Sequence, residues 1–166
     1  MTRMVGSSLP PSLVDRLSQR DLPRRLGVAI PFVTVDPAGR PHAMLLSYLE
    51  LRAHDPSSIG LVIMARSRSA QNLVERRTGT LLLVEPDVVA YVKTRTLDGP
   101  LPVAEVPDLG LGYFLLEVEE VLEDAAADWE GGMRMTHAVQ YAPVPTLEEP
   151  WARATLTALS APRARA

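Results

Sequence analysis

Apolar residues in this chain occur mostly in short runs bounded by turn residues, a pattern typical of strands joined by tight turns. The clearest alternation lies in 113–123. It predicts that four apolar residues face inward and three glutamates face outward: Phe114, Leu116, Val118 and Leu122, and Glu117, Glu119 and Glu123. The predicted strands span 28–35, 42–51, 59–64, 80–84, 88–96, 113–123 and 133–141, and the predicted helices span 9–19, 69–77 and 148–159. The chain is therefore predicted to be mainly β (α+β).

The turns between these strands predict how the strands pair. The sequence Asp36-Pro37-Ala38-Gly39 favours a tight turn, because proline presets φ and glycine accepts the left-handed conformation. Pro31 inside the first strand favours an edge position or a bulge, since proline has no N–H to donate. The strand 42–51 is largely apolar on both faces, which predicts a central position. Short connections favour antiparallel pairing in a closed or partly closed barrel.

Length and composition limit the classes of protein that the chain can belong to. Its 166 residues predict a single domain over 1–166, with a helix and connector in 1–25 and a helix and tail in 148–166. A net charge of −3 argues against a nucleic-acid partner. No apolar run approaches the roughly 20 residues that cross a membrane, and the N-terminus has no apolar signal core, so we expect a cytoplasmic protein. The absence of cysteine excludes disulfides and thiol chemistry.

One polar turn carries the most specific candidate chemistry. The apolar run 59–64 leads into it, and a helix follows, which Ser67 or Ser69 can cap by accepting a backbone hydrogen bond. Arg66 and Arg68 place two guanidinium groups beside the free N–H groups and the positive dipole end of that helix. The turn therefore predicts either a phosphate site or a capped surface helix without a ligand, and the second is the commoner occurrence.

Other reactive groups suggest little further chemistry. His42, His54 and His137 have no spacing typical of a metal site, so we expect no metal. The sequence contains no serine-nucleophile motif, no ATP-type phosphate loop and no dinucleotide fingerprint. The acidic run 117–124 is predicted to be a solvated strand face. No catalytic residue is assigned from the sequence.

The order of elements and the polar turn together resemble the pyridoxamine 5′-phosphate oxidase-like, FMN-binding split barrels over about 28–96. The matching segments are the DPAGRP turn, HAMLLSYLEL, IGLVIMA, SRSAQNL and TGTLLLVEPDVVAYVKTRT. The resemblance implies a six- to seven-stranded antiparallel split β-barrel with short flanking helices and with FMN as cofactor. It also implies a homodimer with the cofactor at the subunit interface and a small-molecule substrate.

The same resemblance implies which residues hold the cofactor. Ser67 matches the phosphate-contacting serine, whereas Ser69, His42 and Ser47 stand where the oxidases proper have cationic residues. This departure argues against pyridoxamine-phosphate oxidase activity itself, although Arg66 or Arg68 could supply the missing charge. Backbone atoms of two dipeptides would flank the isoalloxazine ring. The candidate cofactor-binding residues are His42, Met44, Leu45, Ser47, Met64, Ala65, Arg66, Ser67, Arg68, Ser69 and Asn72.

Three functional interpretations remain open from the sequence. The first is an FMN-dependent oxidoreductase that acts on a small organic substrate. The second is a split-barrel protein that uses a deazaflavin or haem, with His42 or His137 as the haem ligand. The third is a cofactor-free dimeric binding or regulatory module, which the non-cationic residues His42, Ser47 and Ser69 favour.

Overall fold

In the residues that the computed structural model describes, 2–126 and 128–161, the chain forms one antiparallel sheet of eight strands. The strands are β1 (Thr2–Gly6), β2 (Ala29–Val35), β3 (Pro41–Ser47), β4 (Leu51–Asp55), β5 (Ser58–Met64), β6 (Thr78–Glu85), β7 (Val88–Pro102) and β8 (Leu111–Asp124). The α-helices are α1 (Pro11–Arg16), α2 (Leu22–Arg25), α3 (Arg68–Glu75) and α4 (Pro150–Ser160), and 3₁₀ turns occur at Tyr48–Glu50, Pro107–Leu109 and Asp128–Glu130.

Two long strands organise the sheet. Its order is β3-β2-β6-β7-β8-β5-β4, and β1 pairs with β8 outside this path. β5 and β1 share one edge of β8: the first half of β8 pairs with β5, and its last residues pair with β1. Register shifts between β7 and β8 mark irregularities that allow long strands to bend. The result is an antiparallel split barrel with short flanking helices, as the sequence predicted, but with eight strands rather than six or seven.

The largest correction concerns the strand predicted over 42–51. β3 ends at Ser47, a 3₁₀ turn follows, and β4 begins at Leu51. The carboxylate of Glu50 accepts hydrogen bonds from both the backbone N–H and the hydroxyl of Ser47, and this capping box turns the chain. β3 is also an edge strand in the sheet path rather than a central one, since within the described chain it pairs only with β2.

Pro31 is accommodated without an edge strand. β2 lies between β3 and β6, but its pairing with β6 extends only from Phe32 to Thr34. Pro31 stands just outside that paired segment, where β6 does not require a donor from β2. The missing N–H therefore costs no hydrogen bond between β2 and β6.

Two further predicted boundaries are wrong. The segment 97–112, which the predicted strands 88–96 and 113–123 leave as a loop between them, contains the end of β7 and the start of β8. Register shifts in this pairing accommodate Gly99 and the prolines that follow it. The predicted strand 133–141 is absent in the described chain, which has only an isolated bridge between Val28 and Gln140 there. Alternating residues Met133 and Met135 are exposed, so their pattern does not report a buried strand face.

The helices agree with prediction in part. The helix predicted over 9–19 is shorter, and the 1–25 segment also contains β1 and α2. α3 and α4 are confirmed, while the predicted tail at 162–166 lies outside the described residues. After α3 the chain turns at Arg77, which takes the left-handed conformation at φ +58°, and Gly79 lies inside β6.

The main core contains side chains from the strands, the 3₁₀ turn after β3 and the helices, and its largest fully buried members include Phe32, Tyr48 and Phe114. A smaller apolar cluster joins α4 to β5 and β8 through residues such as Leu159 and Tyr113. Across the described residues, no helix has the length and apolar character needed to span a membrane.

Candidate functional site

The turn between β5 and α3 forms the centre of the candidate site. The Ser67 N–H donates to the carbonyl of Met64 at 2.9 Å, which closes the turn after the strand. The Ser67 backbone is extended, and its hydroxyl oxygen accepts from Ala70 N at 3.2 Å. Of the two serines that could cap the helix, Ser67 is therefore the cap, and Ser69 is a buried residue of the first turn.

This helix start has hydrogen-bond donors but no negative charge. The N–H groups of Arg68 and Ser69 find no acceptor among the described residues, and the first turn of α3 has no acidic residue. The exposed guanidinium groups of Arg66 and Arg68 form no hydrogen bond or ion pair with the described chain. Arginines such as Arg3 and Arg95, in contrast, pair with glutamates. The turn is therefore a positively charged surface without a neutralising partner.

Asn72 does not face the solvent side of this site. Its side chain is buried, and its Nδ2 donates to Thr34 Oγ1 at 2.9 Å. The Thr34 hydroxyl in turn donates to the carbonyl of His42 at 3.3 Å. This relay fixes α3 over β2 and β3, so Asn72 holds the two halves of the candidate site together from inside. Thr34 is the site residue that the sequence did not identify, because it has no motif and lies 38 residues from Asn72.

The predicted residues of β3 have different environments. His42 and Met44 are half-buried on the inner face of the strand, whereas Leu45 is 60% exposed on the outer face. Ser47 is buried, and its hydroxyl is committed to Glu50 at 2.8 Å. The S-x-x-E spacing was the signal in the sequence that could have identified this capping box.

Burial raises the pKa of the Glu50 carboxyl, and the two hydrogen bonds from Ser47 offset this rise only in part. Ser47 therefore has a local structural role. Its hydroxyl is not a free donor for a ligand.

The end of β5 provides the other predicted contacts. Met64 is 60% exposed, and Ala65 is half-buried. The Ala65 N–H donates to the carbonyl of Gly110 at 2.9 Å, which ties the turn to the connection between β7 and β8. The backbone of this dipeptide is thus held by a fixed contact.

A buried ionic cluster elsewhere was not predicted. Glu85 accepts from the Tyr48 hydroxyl and pairs with Arg16 at 2.9 Å and with Arg25 at 3.4 Å. Burial and the neighbouring Glu85 charge raise the pKa of Tyr48 well above its ordinary value. The cluster joins α1, α2 and the 3₁₀ turn after β3 to the end of β6, so its role is to connect elements.

Comparison with solved structures identifies the fold. A candidate pyridoxamine 5′-phosphate oxidase from Lactobacillus delbrueckii matches with a TM-score of 0.55 and 16% identity, over 73% of this chain and 98% of that one. An FMN-binding protein from Syntrophomonas wolfei matches with a TM-score of 0.50 and 16% identity, over 70% and 91%. HupZ from Group A Streptococcus matches with a TM-score of 0.50 and 11% identity, over 76% and 99%.

These likenesses are structural. At such identities they show that the chain has the pyridoxamine 5′-phosphate oxidase-like split-barrel fold, which confirms the fold implied by the sequence resemblance. No family model matches the chain, and no curated protein matches it. Function therefore has to be argued from the residues of this chain.

Proposed function

We propose that this chain binds FMN and acts as a flavin-dependent oxidoreductase on a small organic substrate. The observation that carries the proposal is the unpaired positive charge at the β5–α3 turn, where Arg66 and Arg68 flank the capped start of α3. A dianionic phosphate is the group that this combination of guanidinium groups and free N–H groups suits. The shared fold with an FMN-binding protein supports the choice of FMN among phosphate-bearing cofactors.

In this proposal, each residue of the turn makes a different contact with the phosphate. The Ser67 oxygen already accepts from Ala70 N, so its own proton is free to donate to a phosphate oxygen. Arg68 supplies charge, and the N–H groups of Arg68 and Ser69 supply further donors. Backbone atoms of Met44, Leu45, Met64 and Ala65 flank the ring system in this proposal. When bound, FMN supplies hydride transfer, and the protein binds and orients it.

A homodimer with the cofactor between subunits completes the proposal. β3 is an edge strand, and edge strands present unpaired backbone groups that proteins commonly cover. Leu45 on β3 and Met64 at the end of β5 are large apolar residues, each 60% exposed. A second copy of the chain that covers β3 and the end of β5 would remove both side chains from water and would close the cofactor site.

A cofactor-free binding module is the second candidate function. The burial of Ser47, Ser69 and Asn72 favours it, because three side chains predicted to contact a cofactor are turned away from solvent. Ser47 in addition uses its hydroxyl on Glu50. The proposal of FMN binding therefore depends on Ser67, Arg68 and backbone donors rather than on these three side chains.

The first test is a visible absorption titration of the purified protein with FMN. We expect saturation at one FMN per subunit in the wild type. The Arg68→Gln variant should bind FMN about tenfold more weakly or worse, since a hydrogen bond to a charged group contributes about 1.5–3 kcal/mol. Arg153→Gln is the matched control, because Arg153 is exposed on α4 and forms no ion pair with the described chain.

Each result of this titration decides between the interpretations. Riboflavin, which has no phosphate, should bind the wild type more weakly than FMN, and Arg68→Gln should reduce that preference. A colourless protein that ignores FMN would overturn the proposal. A deazaflavin titration would follow in that case, whereas a Soret band would indicate haem.

A further inference from the structure

A small cavity lies beside the candidate phosphate turn, between that turn and the connection from β7 to β8. Its volume is about 250 Å³. Two backbone hydrogen bonds fix its walls: Ala65 N to the carbonyl of Gly110 at 2.9 Å, and Val103 N to the carbonyl of Leu111 at 3.1 Å. The cavity is thus formed by two elements whose backbones are hydrogen-bonded to each other.

The surface of this cavity is largely apolar and includes the faces of rigid rings. Pro100, Pro102 and Pro107 contribute three pyrrolidine rings to the lining. Gly112 also belongs to the lining, and a Cβ there would lie 2.8 Å from Pro100 Cβ and 3.0 Å from Ala65 Cβ. Only a residue without a side chain allows these two walls to approach so closely. The cavity therefore suits a small, flat apolar group.

One charge faces this apolar surface. Arg66 is the single charged residue of the lining, and its guanidinium group has no acidic partner in the described chain. A guanidinium group next to apolar surface is best neutralised by an oxyanion in a planar, two-bond arrangement, which a carboxylate provides. Arg68, on the other side of Ser67 in sequence, does not line the cavity. The two arginines of the turn are therefore suited to two different anions.

We infer that this cavity binds a small organic acid, whose carboxylate pairs with Arg66 and whose flat apolar body lies against the proline rings. The volume is below the roughly 300–1,000 Å³ of pockets for drug-sized ligands, which indicates a body of about one ring. One part of the inference rests on the proposed function, namely that this acid is the substrate of the flavin site. Binding of the acid itself requires no flavin.

The test uses benzoate as the probe and benzamide as its neutral counterpart. Ligand-observed NMR on the full chain, with and without FMN, measures the affinity for both. We expect benzoate to bind at least about tenfold more tightly than benzamide, because a charged hydrogen-bonded pair is worth that factor or more. Arg66→Gln should abolish this preference and should weaken FMN binding less than Arg68→Gln does. Arg68→Gln should keep the preference and weaken FMN binding.

A second variant tests the location of the probe. Ala104 is exposed and lines the cavity, so Ala104→Leu should fill the space without disturbing the core, and should reduce binding of benzoate and benzamide alike. The inference is overturned if benzoate does not bind the wild type, if Arg66→Gln leaves its affinity unchanged, or if Arg68→Gln removes it equally. If FMN fails to bind while the benzoate preference persists, the proposed function falls and this inference stands.

Discussion

Asn72 on α3 donates a 2.9 Å hydrogen bond to Thr34 on β2, and both side chains are almost completely buried. The Thr34 hydroxyl accepts this bond and donates its own hydrogen bond to the carbonyl of His42 on β3. The helix that begins at the candidate phosphate turn is thus held to the strand that carries the other predicted contacts. The position of α3 relative to β3 therefore depends on the buried side-chain amide of Asn72 rather than on surface contacts.

Removing this amide is expected to destabilise the protein. Asn72→Ala leaves the buried Thr34 hydroxyl without its donor, and such a loss costs about 1–3 kcal/mol in the free energy of unfolding. Urea denaturation measures the effect. Gln71→Ala, at the exposed neighbouring position of α3, is the control and should change stability by less than about 0.5 kcal/mol.

A double-mutant cycle with Thr34→Val isolates the interaction itself. The two substitutions should be less destabilising together than the sum of their separate effects, because each removes the same hydrogen bond. Additive effects would show that Asn72 and Thr34 act independently and would remove the relay from the description of the site.

The exposed face of β3 yields a prediction on assembly. If a second copy covers this face, Leu45→Glu places a charge in an apolar interface and should weaken association by about 2 kcal/mol or more. Sedimentation equilibrium of the wild type and the variant at micromolar concentration measures the change. Met4→Glu is the matched control, since Met4 is similarly exposed but lies on β1, which pairs with the last residues of β8.

The result separates an interface at β3 from one elsewhere. We expect a dimeric wild type, a largely monomeric Leu45→Glu variant and a dimeric Met4→Glu variant. A monomeric wild type contradicts the proposed homodimer. If only Met4→Glu disrupts the dimer, the interface lies at β1 and the last residues of β8 rather than at β3.

The strands that the sequence predicted well are those whose apolar residues are buried within one chain. The alternation in 113–123 corresponds to β8, where Phe114, Leu116 and Val118 are buried. The pattern in 42–51 was misleading because Leu45 counts as apolar but is exposed in the single chain. Hydrophobicity indicates that a residue tends to be covered, but it does not indicate which neighbour covers it.

In the candidate site, likewise, some features could be predicted from the sequence and others could not. The cap at Ser67 was predictable because capping is local and depends on a few consecutive residues. The burial of Asn72 was not predictable, since its partner Thr34 belongs to another strand. The cavity beside Arg66 was likewise not predictable, because its walls come from the β5–α3 turn and from residues of the segment 97–112, which was predicted as a loop.

We expect that the core tolerates only glycine at position 79, because a side chain there would collide with the core. The backbone conformation of Gly79 does not itself require glycine. A Cβ at this position would lie 2.6 Å from Phe32 Cε2, and the Phe32 side chain is fully buried, so the buried ring or the strand would have to shift. Gly79→Ala should therefore lower the free energy of unfolding by about 1–3 kcal/mol, the usual cost of overpacking. Thermal or urea denaturation measures it.

Gly6→Ala is the control for this substitution. Gly6 also lies in a strand, but no atom comes within 4 Å of the point that a Cβ would occupy there, so its replacement should be nearly neutral. Phe32→Leu should recover part of the stability lost in Gly79→Ala because it shortens the opposing side chain. Equal losses at Gly6 and Gly79 would attribute the effect to glycine replacement in strands generally.

The capping box at the end of β3 predicts a specific pH dependence of stability. Burial raises the pKa of Glu50 above its ordinary value of 4.5. The unfolded chain therefore ionises first as the pH rises past 4.5, and the folded state loses relative stability until its own pKa is passed. Glu50→Gln removes this ionisation and keeps an oxygen that accepts from Ser47. The stability of the variant relative to wild type should thus increase from about pH 4 to about pH 7.

Urea denaturation of both proteins across this interval provides the measurement. The absolute stability of Glu50→Gln can be lower at every pH, because the amide accepts weaker hydrogen bonds than a carboxylate. The sign of the trend with pH is what tests the raised pKa. Glu105→Gln, at an exposed position whose carboxylate has no partner in the described chain, is the control for the replacement of a glutamate by glutamine. A difference at Glu50 that is constant or that decreases with pH would mean that the Ser47 hydrogen bonds outweigh the cost of burying the charge.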